Sequence, residues 1–385
     1  MKNIILMFWA RFFNGLHFFS SVILLYFTDV VGLSVSDYFF LQAMFSFFVF
    51  FLEIPTGLVA DRFSRRFSLI LGGVFAVLGC LTFFYARSFN LILLAQFLIA
   101  LGFALTSGAF ESLFYDLHTD DYNLFEKYNR NLAFLNNLNL IAIFISTLIG
   151  SLIAKFFGLV NIYLITSFGF LLGTICFLFL SDSKNTSQGE VKRNKSILNS
   201  VFSVLRSNVK LRVLALDLAF VPAVCFMSIW LYQPFLKSFS ASIIFYGVLH
   251  ASMVFMQVAI NFILPYFKHS IDYYIKYSQV FLATMFFVLG IANNIWIGSI
   301  CLVFIVGVGL TRNTFLNKEI NSHIKSSFRS TFFSGVSMLN QLIRMILTFL
   351  LGYLINISFS FVAYLLCLVL LISFFYTRKF EASII

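Results

Sequence analysis

Charge is scarce in this chain: only 11% of its 385 residues are Asp, Glu, Lys or Arg. A water-soluble domain of that length cannot cover itself with so little polar surface. Proline is rarer still, with 4 residues, so long helices are interrupted at few points. The 5 cysteines, Cys80, Cys176, Cys225, Cys301 and Cys367, lie in separate apolar stretches. None forms a CxxC or Cys/His pair, which argues for packing rather than redox or metal chemistry. No nucleotide-binding loop, metal cluster or nucleophile constellation is evident, so an enzyme is not expected, and neither is a cofactor.

What fills the chain is apolar. Hydrophobic residues make up 61%, including 55 phenylalanines, and the mean hydropathy is +0.96. A membrane-crossing helix needs about 20 largely apolar residues. Continuous runs of that length, rather than short alternating segments, predict helices and not a transmembrane barrel. The N-terminal stretch does not read as a cleaved signal: Arg11 interrupts its apolar run, which continues past residue 25.

Breaks at charged or turn-rich points divide the chain into twelve candidate spans: 4–28, 36–60, 68–86, 90–117, 131–155, 161–181, 211–236, 241–266, 276–293, 295–317, 331–355 and 358–377. The longest polar stretch falls in the middle. The expected layout is a six-helix half over 1–181, a cytoplasmic linker over 182–210, and a second six-helix half over 211–385. The fold class is therefore an all-α membrane protein of two six-helix bundles.

Positive charge orients this layout, because Lys and Arg collect in cytoplasmic loops. Of the 26 Lys and Arg, Arg87, Lys155 and Lys237 fall outside, and Arg11, Arg312 and Arg344 fall within spans. The others all lie on the side that holds both termini, which is thus assigned to the cytoplasm. The net charge of +11 is dispersed over separate loops. It reads as an orientation signal toward membrane lipid, not as a nucleic-acid patch.

The halves are weakly alike. Shifting the chain by 206 residues lays Tyr26 on Tyr232 and Arg11 on Asp217, and a shift of 208 lays Leu41-Gln42-Ala43 on Leu249-His250-Ala251. Two parallel repeats related by an axis along the membrane normal describe one large transporter architecture.

The loop after the second span reads GLVADRFSRR, from Gly57 to Arg66. It resembles the signature loop of the major facilitator superfamily, roughly G-x-L-A-D-R-x-G-R-R-x-x-L, with Gly57, Ala60, Asp61, Arg62, Arg65, Arg66 and Leu69 in register. It departs at Val59 and at Ser64, where that family prefers glycine. The preceding EIPTG and the stretch SGAFESLFYD over 107–116 also resemble bacterial drug- and metabolite-transport branches. The resemblance implies the major facilitator fold, a bacterial inner-membrane location and a role for the loop as a cytoplasmic gate. Asp61 would sit at the N-terminus of the eleventh helix, near Ser330 and Thr331, where a helix dipole favours a carboxylate. Arg65 or Arg66 would pair with acids ending the fourth helix: Asp116, Asp120 or Asp121. A generic positive loop is the blander alternative.

Ionisable groups inside spans mark functional sites by default. Here they are Arg11, Glu53, Glu111, Asp217, Arg312 and Arg344. Helical spacing adds polar faces: Ser334, Ser337, Gln341, Arg344 and Thr348; Gln42, Ser46 and Glu53; His250, Gln257 and Asn261; and Asn136, Asn139 and Ser146. They read either as a translocation pathway or as helix–helix hydrogen bonding. Arg344 would hold an anionic substrate group or a structural carboxylate. Arg11 and Asp217, in equivalent positions, would pair when the cytoplasmic side closes; alternatively Arg11 pairs with Glu111. Glu53 and Glu111 are the candidates for proton coupling, with Glu111 preferred.

The expected activity is secondary transport of a small amphipathic compound by a monomer, with proton-coupled efflux leading and uptake of a small, anionic metabolite as the alternative. One departure tempers efflux: the fifth span lacks the Gly-Pro motif frequent in drug/proton antiporters.

Overall fold

The computed structural model describes residues 2–119, 127–181, 209–263, 266, 271–323 and 329–381. Most of the expected linker, with Asp120 and Asp121, lies outside the described residues. Twelve helices of thirteen residues or more run through the described chain: α1 Lys2–Asn14, α2 Val35–Arg62, α3 Arg65–Tyr85, α4 Phe89–Thr119, α5 Tyr128–Phe157, α6 Asn161–Leu178, α7 Val209–Ser238, α8 Ile243–Ile263, α9 Ile271–Ile291, α10 Ile295–His323, α11 Arg329–Leu354 and α12 Phe359–Glu381. Ten of them are long and apolar enough to cross a membrane. Phe156, Phe157, Phe168, Phe179, Trp296, Ile372 and Phe375 are exposed, the apolar coat that a lipid-facing helix requires.

The expected first span differs. Instead of one helix over 4–28, α1 stops at Asn14; a turn-rich stretch follows, then a short helix, Ile23–Leu25, and a wider π turn, Tyr26–Val30. The cause is docking on small residues. A Cβ on Gly15 would lie 2.9 Å from the Ala142 Cβ, and one on Gly150 would lie 2.0 Å from the Phe18 carbonyl oxygen. The Ser21 hydroxyl donates to the Thr147 carbonyl at 3.2 Å. Interrupted backbone at membrane depth is tolerated when it is buried against protein in this way.

Two compact units emerge. One comprises Met1–Gln188 with Ala241–Ala251, the other Gly189–Ser240 with Ser252–Ile385. The first turns of α8 thus group with the N-terminal unit, where Gly247 admits α5: its Cβ would lie 2.0 Å from the Ser151 Oγ. Within the units the packing repeats. In the first, α3 packs on α4 and α6, and α1 on α4, α5 and α6; in the second, α9 packs on α10 and α12, and α7 on α10, α11 and α12. Small residues let the helices of the first unit approach: a Cβ on Gly72 would stand 2.8 Å from the Gly102 carbonyl oxygen. Each unit has its own apolar core. Met7, Ala10, Phe110, Leu113 and Phe177 are central to the first, and Leu211, Ala215, Leu316 and Phe332 to the second. Cys80, Cys225, Cys301 and Cys367 are buried free thiols and Cys176 is half-buried, as packing residues would be.

Candidate functional site: embedded charges and the α2–α3 loop

The loop between α2 and α3 is built from local capping. Ser64 is extended, with φ −173°, and its hydroxyl accepts from the Phe67 amide at 3.0 Å. Where the superfamily pattern prefers glycine, this chain therefore carries an N-cap, typically worth about 1 kcal/mol. The two arginines that follow divide their work. Arg65 bridges Asp116 of α4 and donates to the Ser112 carbonyl at 3.1 Å. Arg66 donates instead to the Phe177 and Leu178 carbonyls at 3.3 and 2.5 Å. Those carbonyls end α6, where the last turn leaves acceptors for side chains to meet; the Phe177 carbonyl also accepts from the Leu180 amide at 3.3 Å. Arg62 is exposed, and open space surrounds a Cβ placed on Gly57. The side chains of Asp61, Ser330 and Thr331 lie outside what the structure describes.

Beside this loop, Arg65, Glu111, Ser112, Tyr115, Asp116 and Tyr128 line a cleft of about 370 Å³. Glu111 is exposed to it. One residue earlier on α4, the Phe110 ring lies under the guanidinium of half-buried Arg11, 5.6 Å from ring centroid to Cζ. The Arg11 Nε is enclosed without a hydrogen-bond partner. Glu111 of α4, one of the two partners expected for Arg11, belongs to the same unit as Arg11.

The second unit answers the other half of that expectation. Asp217 of α7 is engaged by Arg312 of α10 and by the Gln279 amide of α9 at 2.7 Å. Arg312 is fully buried and also donates to the Ser278 hydroxyl. The carboxylate expected to meet Arg11 is therefore held inside its own bundle. The reason is geometric: α7 packs on α9-bonded α10, so the nearest cation is the one on α10.

Arg344 is different again. It lies at the middle of the apolar stretch Gly335–Leu354, its guanidinium 3.9 Å above the Phe226 ring of α7. Its Nε is enclosed and unbonded. The flanking α11 residues tie the helices together: the Asn340 amide donates to the Ala219 carbonyl at 2.6 Å, and the Thr348 hydroxyl contacts the Met227 sulfur at 3.5 Å. Pro222 sits inside α7; it lacks an amide proton and loosens the backbone that Asn340 reaches.

The remaining pathway candidates are dispersed. Glu53, Asn139, Gln257 and Gln341 are half-buried, Asn136 is exposed and His250 is buried. Asn139 lies against Gly15 at the break in the first span. Ser146 and Thr147 bond to carbonyls three residues earlier in α5, at 3.1 and 3.0 Å, which is helix-internal satisfaction rather than a free polar wall. A polar contact missed in the sequence is His118 of α4, fully buried with Nδ1 2.7 Å from the Phe114 carbonyl and Nε2 2.9 Å from the Asn131 amide. The i, i+4 spacing of Phe114 and His118 was the available signal.

Known proteins decide the family. The Major Facilitator Superfamily profile matches residues 5–345. The chain belongs to the Major Facilitator Superfamily. Solved transporters share its fold across nearly the whole length. A point variant of the nucleoside transporter NupG superposes with TM-score 0.81 at 12% identity, covering 98% of this chain and 99% of that one. A D-xylose–proton symporter gives 0.79 at 11%, covering 98% and 97%. A POT family transporter in complex with 5-aminolevulinic acid gives 0.76 at 13%, covering 99% and 96%. No curated protein matches by sequence. Membership assigns this chain to secondary transport rather than to enzyme chemistry, in a multi-pass membrane protein.

Proposed function

We propose that this superfamily member moves a small amphipathic organic compound across the bacterial inner membrane by alternating access, coupled to protons in the direction of efflux, as a monomer with both termini in the cytoplasm. The single observation that carries the coupling is the α1–α4 arrangement: Glu111 faces a cleft, and the half-buried Arg11 guanidinium, with an unbonded Nε, rests on the ring of the adjacent α4 residue, Phe110. A carboxylate so placed can exchange a proton with solvent and then act on Arg11, which couples protonation to the position of α1. Glu53 is the second carboxylate inside a span and would serve if Glu111 does not. The Arg65–Asp116 bridge and the α2–α3 loop form the gate in this reading, with Asp61 as the latch to α11.

A second reading, proton-coupled uptake of a small anionic metabolite, is favoured by Arg344, a cation in mid-span whose stacking partner is an aromatic ring. Proteoliposome flux with an imposed pH gradient of either sign separates the two directions. Glu111→Gln should abolish gradient-driven flux while leaving counterflow intact. Full gradient-driven flux in that variant removes Glu111 from the coupling role.

A further inference from the structure

Arg344 poses a problem that packing does not solve. A charged residue at mid-span costs about 2.5–3.5 kcal/mol on insertion scales. Arg312, the other deeply placed arginine of the same unit, has Asp217 to offset its charge. Among the described residues no carboxylate does this for Arg344, whose guanidinium stands over the Phe226 face with its Nε unbonded. Cation–π attraction contributes only about 0.5–2 kcal/mol, so the charge is left partly uncompensated. Phe226 is itself half-buried and packs edge-on against Trp230, with ring centroids 5.6 Å apart. The aromatic surface beside the cation therefore continues along α7. Asn340 and Thr348, the turns on either side, are committed to α7. They fix α11 so that the guanidinium stays over the ring.

With its Cζ 3.9 Å from the ring centroid, the guanidinium still has a fork of N–H donors of the kind that a carboxylate meets two at a time. The depth excludes a lipid head group as the natural occupant. Arg344 stands roughly ten residues from either end of its apolar stretch, about 15 Å at the helical rise.

We propose that Arg344 on Phe226 is the anion end of a substrate site, and that the transported compound is an amphipathic organic carboxylate whose apolar part lies along Phe226 and Trp230. This rests on the transport reading for its purpose but not for its test. The full-length protein in detergent is titrated calorimetrically with a panel of aromatic and aliphatic carboxylates, 1-naphthoate among them, beside their neutral carboxamides and a matched phosphonate. A carboxylate is expected to bind at least about tenfold more tightly than its amide. Arg344→Gln should erase that preference. Arg344→Lys keeps the charge without the fork and should fall between, which preserves the test if the glutamine variant does not fold. Phe226→Leu should weaken the aromatic acids more than the aliphatic ones. Absence of any carboxylate preference in the wild type, or its survival in Arg344→Gln, overturns the proposal. A phosphonate bound more tightly than the carboxylate also overturns it in favour of a phosphorylated substrate. Acid binding without any flux in proteoliposomes would leave the site standing and defeat the transport reading instead.

Discussion

The two units solve the same contact with opposite charges. In the first, the cation is on α1 and the acid on α4: Arg11 and Glu111. In the second, the acid is on α7 and the cation on α10: Asp217 and Arg312. Those helices occupy equivalent places in the two repeats. The second pair is closed, with Arg312 at 0% exposure and the Gln279 amide and Ser278 hydroxyl each bonding one member of it. The first is open: Glu111 faces a cleft, Arg11 rests on Phe110, and no direct bridge joins them. A sealed ion pair cannot exchange a proton without breaking its bonds, whereas an open one can. The comparison therefore sets a sealed pair in the second unit against an open arrangement on the corresponding helices of the first, which is where the proposed coupling would act.

The largest effect that breaks this comparison is on stability. Asp217→Asn leaves Arg312 buried beside a neutral amide, and removing one member of a buried pair typically costs about 3–5 kcal/mol. Thermal unfolding in detergent should show a large loss. The joint change Asp217→Leu with Arg312→Met should recover most of it, because neither charge is then stranded. Glu111→Gln under the same assay should move stability by less than about 0.5 kcal/mol, as an exposed substitution. Equal losses in both units would show that the first pair is as closed as the second.

A smaller effect tests the other contrast between the units, the broken first span against the unbroken α7. Gly150→Ala drives a methyl into the Phe18 carbonyl, 2.0 Å from the added carbon. Backbone must move, and overpacking of this kind costs about 1–3 kcal/mol. The matched change Gly158→Ala meets no atom within 4 Å but sits at φ +93°, so its cost would come from backbone strain alone. Unfolding of the two variants separates docking of the broken segment from simple glycine strain.

Much of the fold was legible in the sequence because each span must be apolar on its own account. Charge then sorts the loops between the two sides. The break after Asn14 was not legible, since GLHFFSSVILL is as apolar as a helix would be. What breaks it is the space offered by Gly150 and Ala142 of α5, a tertiary cause. An acid ending the fourth helix was legible as a partner for Arg65 or Arg66, but the choice of Asp116 over Asp120 and Asp121, and of Arg65 over Arg66, took the helix packing. The equivalence of Arg11 and Asp217 was legible, but the partners that Asp217 has within its own unit, Arg312 and Gln279, were not. The alternative weighed for Arg11, a partner on the fourth helix of its own half, leads to Arg312 when applied to α7 and α10. Arg344 was visible as a mid-span cation; its seat on Phe226 required the α7–α11 packing.

The smallest expected effect lies at Ser64, where this chain departs from the superfamily's glycine. The hydroxyl closes the first turn of α3 through the Phe67 amide at 3.0 Å, and the same turn delivers Arg65 to Asp116 and Arg66 to the end of α6. Ser64→Ala removes the cap and should lower stability by about 1 kcal/mol, whereas Ser64→Gly should cost only a few tenths. The two variants differ in a second way. Glycine restores the superfamily pattern and frees the loop, so if capping serves only α3, transport should follow stability in both. Should Ser64→Gly alter flux at unchanged stability, the serine is holding the arginines at a set angle rather than merely starting a helix. The loop would then be a tuned part of the gate in the first unit.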